Sequence, residues 1–461
     1  MTRYQSWGCY PKAHPQHVKS LFWTQDLPHF NSWDTPVLPF GFGRSYGDSC
    51  LNNDGILLST RGLNRFLGFD PLTGILRCES GVSLQEILRI FVPKGWFLPV
   101  TPGTQMVSIG GAIANDVHGK NHHRAGTFGC HVQNFELLRS NGERLSCSLK
   151  QNPEMFRATI GGLGLTGLIL WADIQLKPIC SPWISAERIR FRTLNEFYAL
   201  SADSEPNFEY TVAWIDCFAP KRQLGRGIFI RGNHQTNPSP CGPNVSPGRT
   251  LRVPRGVPSS LLNSFTLKLF NSLYFQLNPR MATLHDEPYP SFFYPLDSLL
   301  DWNRLYGKNG FLQYQCVIPQ TNQESGMEAL LKTIQRSGQG SFLAVLKQFG
   351  FRSSPGLLSF PKPGTTLALD FAFKGRRTLD LLNILDEIVF HCGGSVYPAK
   401  DARMSSYHFQ KFFPQWKDLL PLIDPKFSSS LWRRVTTPQD GTPTTDKNME
   451  KARPSSPLCT K

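Results

Sequence analysis

One stretch constrains the fold more than any other: Pro99 to Val132, PVTPGTQMVSIGGAIANDVHGKNHHRAGTFGCHV. Its first half is small and turn-forming, punctuated by Pro and Gly. It lacks the amphipathic period that would commit it to a long helix or a half-buried strand. Its second half, D-V-H-G-K-N-H-H, gathers polar groups around a single lysine. Gly and Ala let a backbone approach a ligand closely, because a larger Cβ would hold it off. Successive free N–H groups in such a segment form a nest of phosphate size. The expectation is a loop that grips a large phosphate-bearing cofactor, with the rest of the chain built around it. Four histidines fall in the stretch, but no carboxylate or thiol set joins them at ligand spacing, so no metal site is expected.

A chain of 461 residues accommodates two ordinary domains and a tail. Apolar residues make up 40% and aromatics 12%, enough for genuine cores. The longest apolar runs, such as LLNSFTLKLF, break well before the length of a membrane span. No secretory signal is expected from MTRYQSWGCYPK, which has no apolar core. Eleven scattered cysteines without a C-x-x-C pair read as reduced thiols in a cytoplasmic chain. The net charge of +15 is uneven: Cys217 to His285 holds nine Lys and Arg and no Asp or Glu. Such a balance suits a polyanion or an anionic membrane surface, but no nucleic-acid motif or base-stacking pattern accompanies it, so nucleic acid is not expected.

Residues 1 to about 35 read as an arm over the surface. From Thr35, the run PVLPFGFGRSYGDSCLNNDGILLST reads as strand, glycine turn, strand. FLGFDPLTGILRCESG alternates around a D-P-L-T-G turn and predicts a hairpin. Ser83 is placed to cap a helix whose apolar face is Leu84, Ile87, Leu88 and Phe91. Asn141-Gly142 marks a second hairpin. In GGLGLTGLILWADIQL the glycines match a dinucleotide fingerprint, but a helix precedes them and a strand follows, the inverse of the required order. A glycine turn feeding a strand beside a flat cofactor suits the pattern better. The composition changes near Trp183. About five strands then alternate with helices such as ESGMEALLKTIQRSG, predicting a second α+β unit with one broad antiparallel sheet and covering helices. TTPQDGTPTTDKNMEKARPSSP has the composition of a disordered tail. The fold class expected is α+β.

Gly41 to Asp48, G-F-G-R-S-Y-G-D, has glycines for wrapping an anion, with Ser45 and Tyr46 as donors; taken alone, it is equally a hairpin loop with an exposed Arg. Joined to P-G-x(7)-G-G-x-I-A and G-G-x-G-x-x-G before a strand, it resembles the FAD-dependent oxidase superfamily of vanillyl-alcohol oxidase and the sugar-lactone oxidases. Further strings, H-G-K-N-H-H, V-A-W-x-D, P-L-D-x(4)-W-N-R-L-Y-G, G-F-L-Q-Y-Q and Y-x-A-K-D, resemble the family of the decaprenylphosphoryl-β-D-ribose 2′-oxidases over nearly the whole chain.

The resemblance implies a PCMH-type FAD-binding domain of two subdomains at 1–180 and a substrate domain at 181–390. Residues 391–437 would return to the FAD domain, with a tail at 438–461. It implies FAD held by Gly43, Arg44, Ser45, Tyr46 and Gly47 on one side. Pro102, Gly103, Thr104, Gly110, Gly111, Ala114, His118, Gly119, Ile169 and Tyr397 would complete the cofactor site. Relatives that attach flavin covalently through the first loop carry a His where this chain has Arg44, so a non-covalent cofactor is expected. Ala368 stands where members of the family carry a Cys; oxidation itself needs no thiol.

The implied substrate residues are Lys120, Trp214, Gln313, Gln315 and Lys400. Gln313 and Gln315 fall on one face by period two. Oxidising a secondary alcohol removes a hydroxyl proton and a hydride. A desolvated neutral lysine accepts the proton and a charged one steadies an alkoxide; Lys400 is the candidate, with Tyr46 and His118 as supporting donors. The implied reaction takes the ribose 2′-hydroxyl of a polyprenylphosphoryl ribose to a ketone, the first half of epimerisation to an arabinose lipid donor. A separate NAD(P)H-dependent short-chain reductase would follow. Leu262, Phe265, Leu269, Leu273 and Leu277 have helical spacing, flanked by Arg252, Arg255 and Arg280. Two readings stand: a helix at an anionic lipid surface, which would make the protein peripheral to the inner face of the membrane, or a buried helix of the substrate domain. The rival functions are an aldonolactone or polyol oxidase, and a basic membrane- or nucleic-acid-binding module with vestigial flavin loops.

Overall fold

The computed structural model describes residues 4–28, 30–237, 250–254, 256, 263–278 and 282–437. The expected tail at 438–461 lies outside them, as do Leu262, Arg255 and Arg280. The chain is mixed α and β, with antiparallel pairing in its two larger sheets.

Both hairpins form where the turn residues place them. Phe66–Asp70 pairs antiparallel with Ile75–Glu79, and Val132–Leu138 with Arg144–Ser148. Gly142 supplies the left-handed turn with φ +89°. Strand Leu168–Gln175 joins the two hairpins into a five-stranded sheet. Helix Leu84–Phe91 covers it with its predicted face buried. A capping box starts that helix: the Ser83 hydroxyl accepts from the Glu86 amide at 3.1 Å, and the Ser83 amide donates to Glu86 Oε2 at 2.9 Å.

The rival hairpin reading of the first glycine loop fails, and the arm reading holds only in part. The strands flanking the Gly41–Asp48 loop, Val37–Phe40 and Ile56–Ser59, pair in parallel, so the loop is a crossover and not a hairpin. The arm is partly built in as well. His17–Ser20 adds a third parallel strand against Ile56–Ser59. Both pairings join segments distant in sequence, which local turn signals cannot reveal.

Residues from Trp183 onward build an eight-stranded antiparallel sheet. The five expected strands are present: Trp183–Phe191, Tyr210–Ile215, Gly227–His234, Phe311–Pro319 and Gly364–Ala372. Thr283–Pro288, Ala344–Phe349 and Ser395–Val396 complete it. Helices Gln323–Ser337 and Arg376–His391 pack their apolar stripes onto one face. Bonds between segments far apart in sequence tie the turns that follow strand Thr283–Pro288 to the glycine-rich stretch. The Thr101 and Tyr294 hydroxyls meet at 2.6 Å, and the Gln105 amide donates to Asp297 Oδ2 at 2.9 Å.

The last described residues return to the N-terminal strands. Phe427 bridges to Val37, and Arg434 forms a buried triad. Its guanidinium takes Asp48 bidentately at 2.8 and 2.7 Å and reaches Asp401 Oδ2 at 2.8 Å. The triad clamps the glycine loop against the Pro398–Lys400 turn so closely that a Cβ on Gly47 would lie 1.7 Å from the Asp401 carbonyl oxygen. Replacing Arg434 with Met should therefore lower the unfolding free energy by about 3–5 kcal/mol, because buried Asp48 loses its cation and Asp401 keeps only Arg403 at 4.0 Å. Denaturant unfolding followed by tryptophan fluorescence checks this; a loss below about 1 kcal/mol, the scale of an exposed pair, would contradict it.

Candidate active site

Strand register builds the site. Tyr210–Ile215, Ala344–Phe349, Gly364–Ala372 and Phe311–Pro319 are neighbours in that order. Trp214 faces Val345, Val345 faces Ala368, and Ala368 faces Gln315; Lys347 faces Thr366, and Gln313 faces Asp370. Opposed residues share a face and alternate residues return to it. Trp214, Lys347, Phe349, Thr366, Ala368, Asp370, Gln313 and Gln315 therefore stand on one side of the sheet. The other side carries Tyr314, Cys316, Leu346, Leu367 and Leu369 into the apolar core.

The clamped loop and turn lie against this polar face. The Tyr46 amide donates to the Ala399 carbonyl at 3.0 Å, and the Tyr397 amide to the Gln315 carbonyl at 2.8 Å. These bonds put the Lys400 ammonium 3.8 Å from the centroid of the Tyr46 ring. Asp370 accepts from Gln313 Nε2 at 2.6 Å through Oδ1, while its Oδ2 is buried without a partner among the described residues. Burial pushes Asp370 up and Lys400 down, and their mutual attraction opposes both shifts. Burial raises the Tyr46 hydroxyl well above its ordinary range, so it stays protonated as a donor.

His118 belongs to a network whose proton positions follow from chemistry. Thr366 Oγ1 donates to the Cys316 carbonyl at 2.8 Å, so it accepts from Gln315 Nε2 at 3.2 Å. The same amide nitrogen, a donor only, lies 2.8 Å from His118 Nε2. Nε2 is therefore the acceptor and Nδ1 carries the proton. Burial, assisted by Lys347, His122 and Lys400, holds the ring well below its ordinary pKa, and thus neutral. Nδ1 is buried without a partner among the described residues, a donor left unmet by the protein. The Tyr397 hydroxyl donates to the Asn115 carbonyl at 2.6 Å, and its ring stacks on Phe360 beside His118.

The other expected residues divide. Gln313, Gln315, Tyr46, His118, Tyr397 and Lys400 come together. Trp214 shares their face, but its indole donates to the Phe342 carbonyl at 2.8 Å and packs on Tyr274 at 4.7 Å, toward a neighbouring helix. Lys120 is held elsewhere: its ammonium sits on the carbonyls of Phe292 and Phe293. Burial and the charge of Lys347 pull it to about 7. Lys347, not anticipated, donates to the Gly119 carbonyl at 3.3 Å, and burial pulls it to about 8. Asp370 and Thr366 were missed too. An Asp inside T-T-L-A-L-D-F-A-F was the available signal, because a carboxylate in an apolar strand is costly unless used. The centroid of the His122 ring lies 4.3 Å from that of Phe349, and burial pulls its pKa to about 3.

The residues present fit FAD. Gly43 takes φ +65°, and a Cβ there would meet the Gln5 carbonyl oxygen at 2.7 Å. Arg44 stacks over Trp7 at 4.1 Å. Across the cleft, Gly110, Gly111 and Ala114 are partly exposed on the short helix Ile109–Ala114, and Gly103 has open space where a Cβ would be. Arg44 Nε, Ser80 Oγ and His118 Nδ1 are buried polar atoms with no partner among the described residues, as expected where a polar group of another molecule completes them. Pro102 and Thr104 flank the open position, and Gly119 packs against the Thr101 backbone. Ile169 is the exception; its side chain is buried in the core of the five-stranded sheet.

Comparison with known proteins agrees with this geometry. A family model described as an FAD binding domain matches residues 29–148. Decaprenylphosphoryl-beta-D-ribose oxidase of Mycolicibacterium smegmatis is 36% identical over 414 residues, covering 87% of this chain and 89% of that protein. An uncharacterised Streptomyces coelicolor protein is 31% identical over 77% of this chain and all of its own length. D-arabinono-1,4-lactone oxidase of Candida glabrata is 27% identical over 42% of this chain and 36% of its own.

The hydrogen-bond network makes a spectroscopic prediction. Nitrogen-15 NMR should show His118 as the neutral Nδ1–H tautomer from about pH 6 upward, below where an ordinary imidazole is half-protonated. A protonated ring at that pH, or the Nε2–H form, would contradict the network.

Proposed function

Because the chain belongs to the family of FAD-dependent oxidases that includes decaprenylphosphoryl-beta-D-ribose oxidase, we propose that it oxidises the ribose 2′-hydroxyl of a polyprenylphosphoryl-β-D-ribose to the 2′-ketone. The observation that carries the reading at the site is Lys400, 3.8 Å from the Tyr46 ring on a turn bonded to the polar sheet face that bears Gln313, Gln315 and Asp370. FAD, non-covalently bound by Gly43–Gly47, Pro102–Thr104, Gly110, Gly111 and Ala114, supplies the two-electron acceptor.

The chain's own groups handle the proton and the pose. Neutral Lys400 takes the proton from the 2′-hydroxyl; Asp370, held by Gln313, steadies the ammonium that forms. Tyr46 and the unmet His118 Nδ1–H donate to oxygens of the bound sugar or cofactor. Gln315 fixes the tautomer that makes His118 a donor. Lys347 and Lys400 outnumber Asp370 at this face, which favours an anionic substrate such as a phosphodiester. The proposed organisation is an FAD-binding domain at 1–180, a substrate domain at 181–390 and a returning segment at 391–437. A ketone product implies a following reduction, for which an NAD(P)H-dependent short-chain reductase is the fitting partner.

Lys400→Ala should lower the rate of anaerobic flavin bleaching by about 10²–10⁴-fold, the typical worth of a positioned acid–base group, with FAD still bound. Lipid-linked ribose should bleach the wild-type flavin, whereas free aldonolactones should not. Bleaching by the lactone alone would shift the assignment to an aldonolactone oxidase, and undiminished turnover by the variant would remove Lys400 from the reaction.

A further inference from the structure

Helix Ser264–Leu277 turns its most continuous apolar stripe away from the protein. Its face toward the protein mixes apolar Leu267, Tyr274 and Phe275 with polar groups. Asn271 is fully buried and donates to Asp216 Oδ1 at 3.0 Å and to the Ser341 carbonyl at 3.2 Å. The Ser264 hydroxyl donates to the Gly338 carbonyl at 3.0 Å, and Arg226 reaches the Ser272 hydroxyl at 3.5 Å. Its apolar stripe faces outward. Phe265 is 74% and Leu277 83% exposed, with Leu269, Phe270 and Leu273 about half-exposed between them. Phe265, Leu269, Leu273 and Leu277 follow one another at four-residue spacing, so they form one continuous ridge. An exposed apolar ridge of this kind marks an interaction surface.

The surrounding charge identifies the occupant. Some cations of the acid-free segment are neutralised from outside it: Arg226 pairs with Asp216 at 2.8 Å, and Arg231 with Glu187 and Asp203 at 2.7 Å. Lys221, Arg222 and Lys268 are exposed and have no ion pair among the described residues. Lys268 lies on the helix itself, 5.7 Å from the ring of Phe218, which closely precedes Lys221 and Arg222 in the chain. An apolar ridge rimmed by unpaired cations matches the acyl–headgroup boundary of an anionic bilayer.

We propose that helix Ser264–Leu277 is a membrane-docking element, its ridge of Phe265, Leu269, Phe270, Leu273 and Leu277 seated in an anionic lipid surface. Among the described residues no helix is long and apolar enough to cross a membrane, so docking is peripheral. A small pocket under the helix is lined by Leu267, Tyr306, Phe342 and Phe371. Docking would hand a lipid-linked sugar from bilayer to site. That consequence rests on the function proposed above, whereas the docking itself stands on the helix.

The test uses the FAD-loaded full chain with phosphatidylcholine vesicles, with and without phosphatidylglycerol. Wild-type protein should sediment with the anionic vesicles, and Leu269→Glu/Leu273→Glu should lose about tenfold or more of that binding. The variant's melting temperature and its bleaching by a short-chain, detergent-free phosphoribose should be unchanged. Equal sedimentation of both proteins would overturn the proposal. So would a wild-type dimer, without lipid, that the variant makes monomeric, because the ridge would then belong to a second copy. A large fall in the variant's melting temperature would also overturn it, because the chain itself would cover the ridge. Failure of vesicle binding would leave oxidation of the lipid-linked sugar intact, so the two readings fail separately.

Discussion

The site depends on one buried ionic clamp. Arg434 holds Asp48 and Asp401 together, although those carboxylates lie in segments more than three hundred residues apart. Through them it fixes the glycine loop that carries Arg44, Ser45 and Tyr46 against the turn that carries Lys400. The close approach at Gly47 leaves no slack in that contact. A buried ion pair seldom adds much net stability over an apolar replacement. Here it sets register, which is what the Lys400–Tyr46 geometry requires.

The charge balance of the polar face follows from burial. Lys347 and Lys400 gather within electrostatic reach of one another, and Lys120 within reach of Lys347, while Asp370 is the carboxylate that offsets Lys400. Burial drives each lysine toward its neutral form, and the charge of Lys347 drives Lys120 and Lys400 further. The face is thereby stocked with proton acceptors near neutral pH, alongside donors at Tyr46 and His118 that stay protonated. An entering anion would lift the lysines again, which couples substrate binding to protonation.

Much of this was legible in the sequence, and the gaps have a common cause. The hairpins, the Ser83 cap and the Gln313–Gln315 alternation are local patterns, and each is present. Lys347 escaped notice because only strand register, a non-local property, brings it opposite Thr366; Asp370 had a local signal as a carboxylate in an apolar strand, and register adds its partner Gln313. The parallel pairing of His17–Ser20 was hidden for the same reason. Helix Ser264–Leu277 shows a different limit. Spacing revealed its apolar stripe, but periodicity does not say which way a stripe faces, and buried Asn271 decides that.

The central claim is that Lys400 accepts the proton in its neutral form and that Asp370 sets how readily it does so. The direct test is the pH dependence of anaerobic flavin reduction in rapid-mixing experiments, comparing wild type with Asp370→Asn. Lysine must be neutral to act, so the rate should fall as the pH drops through the apparent pKa of the pair. The Asp370 charge raises the Lys400 pKa, so the account predicts that the variant's acidic limb moves to lower pH while reduction persists. A limb that stays in place or moves to higher pH would contradict it.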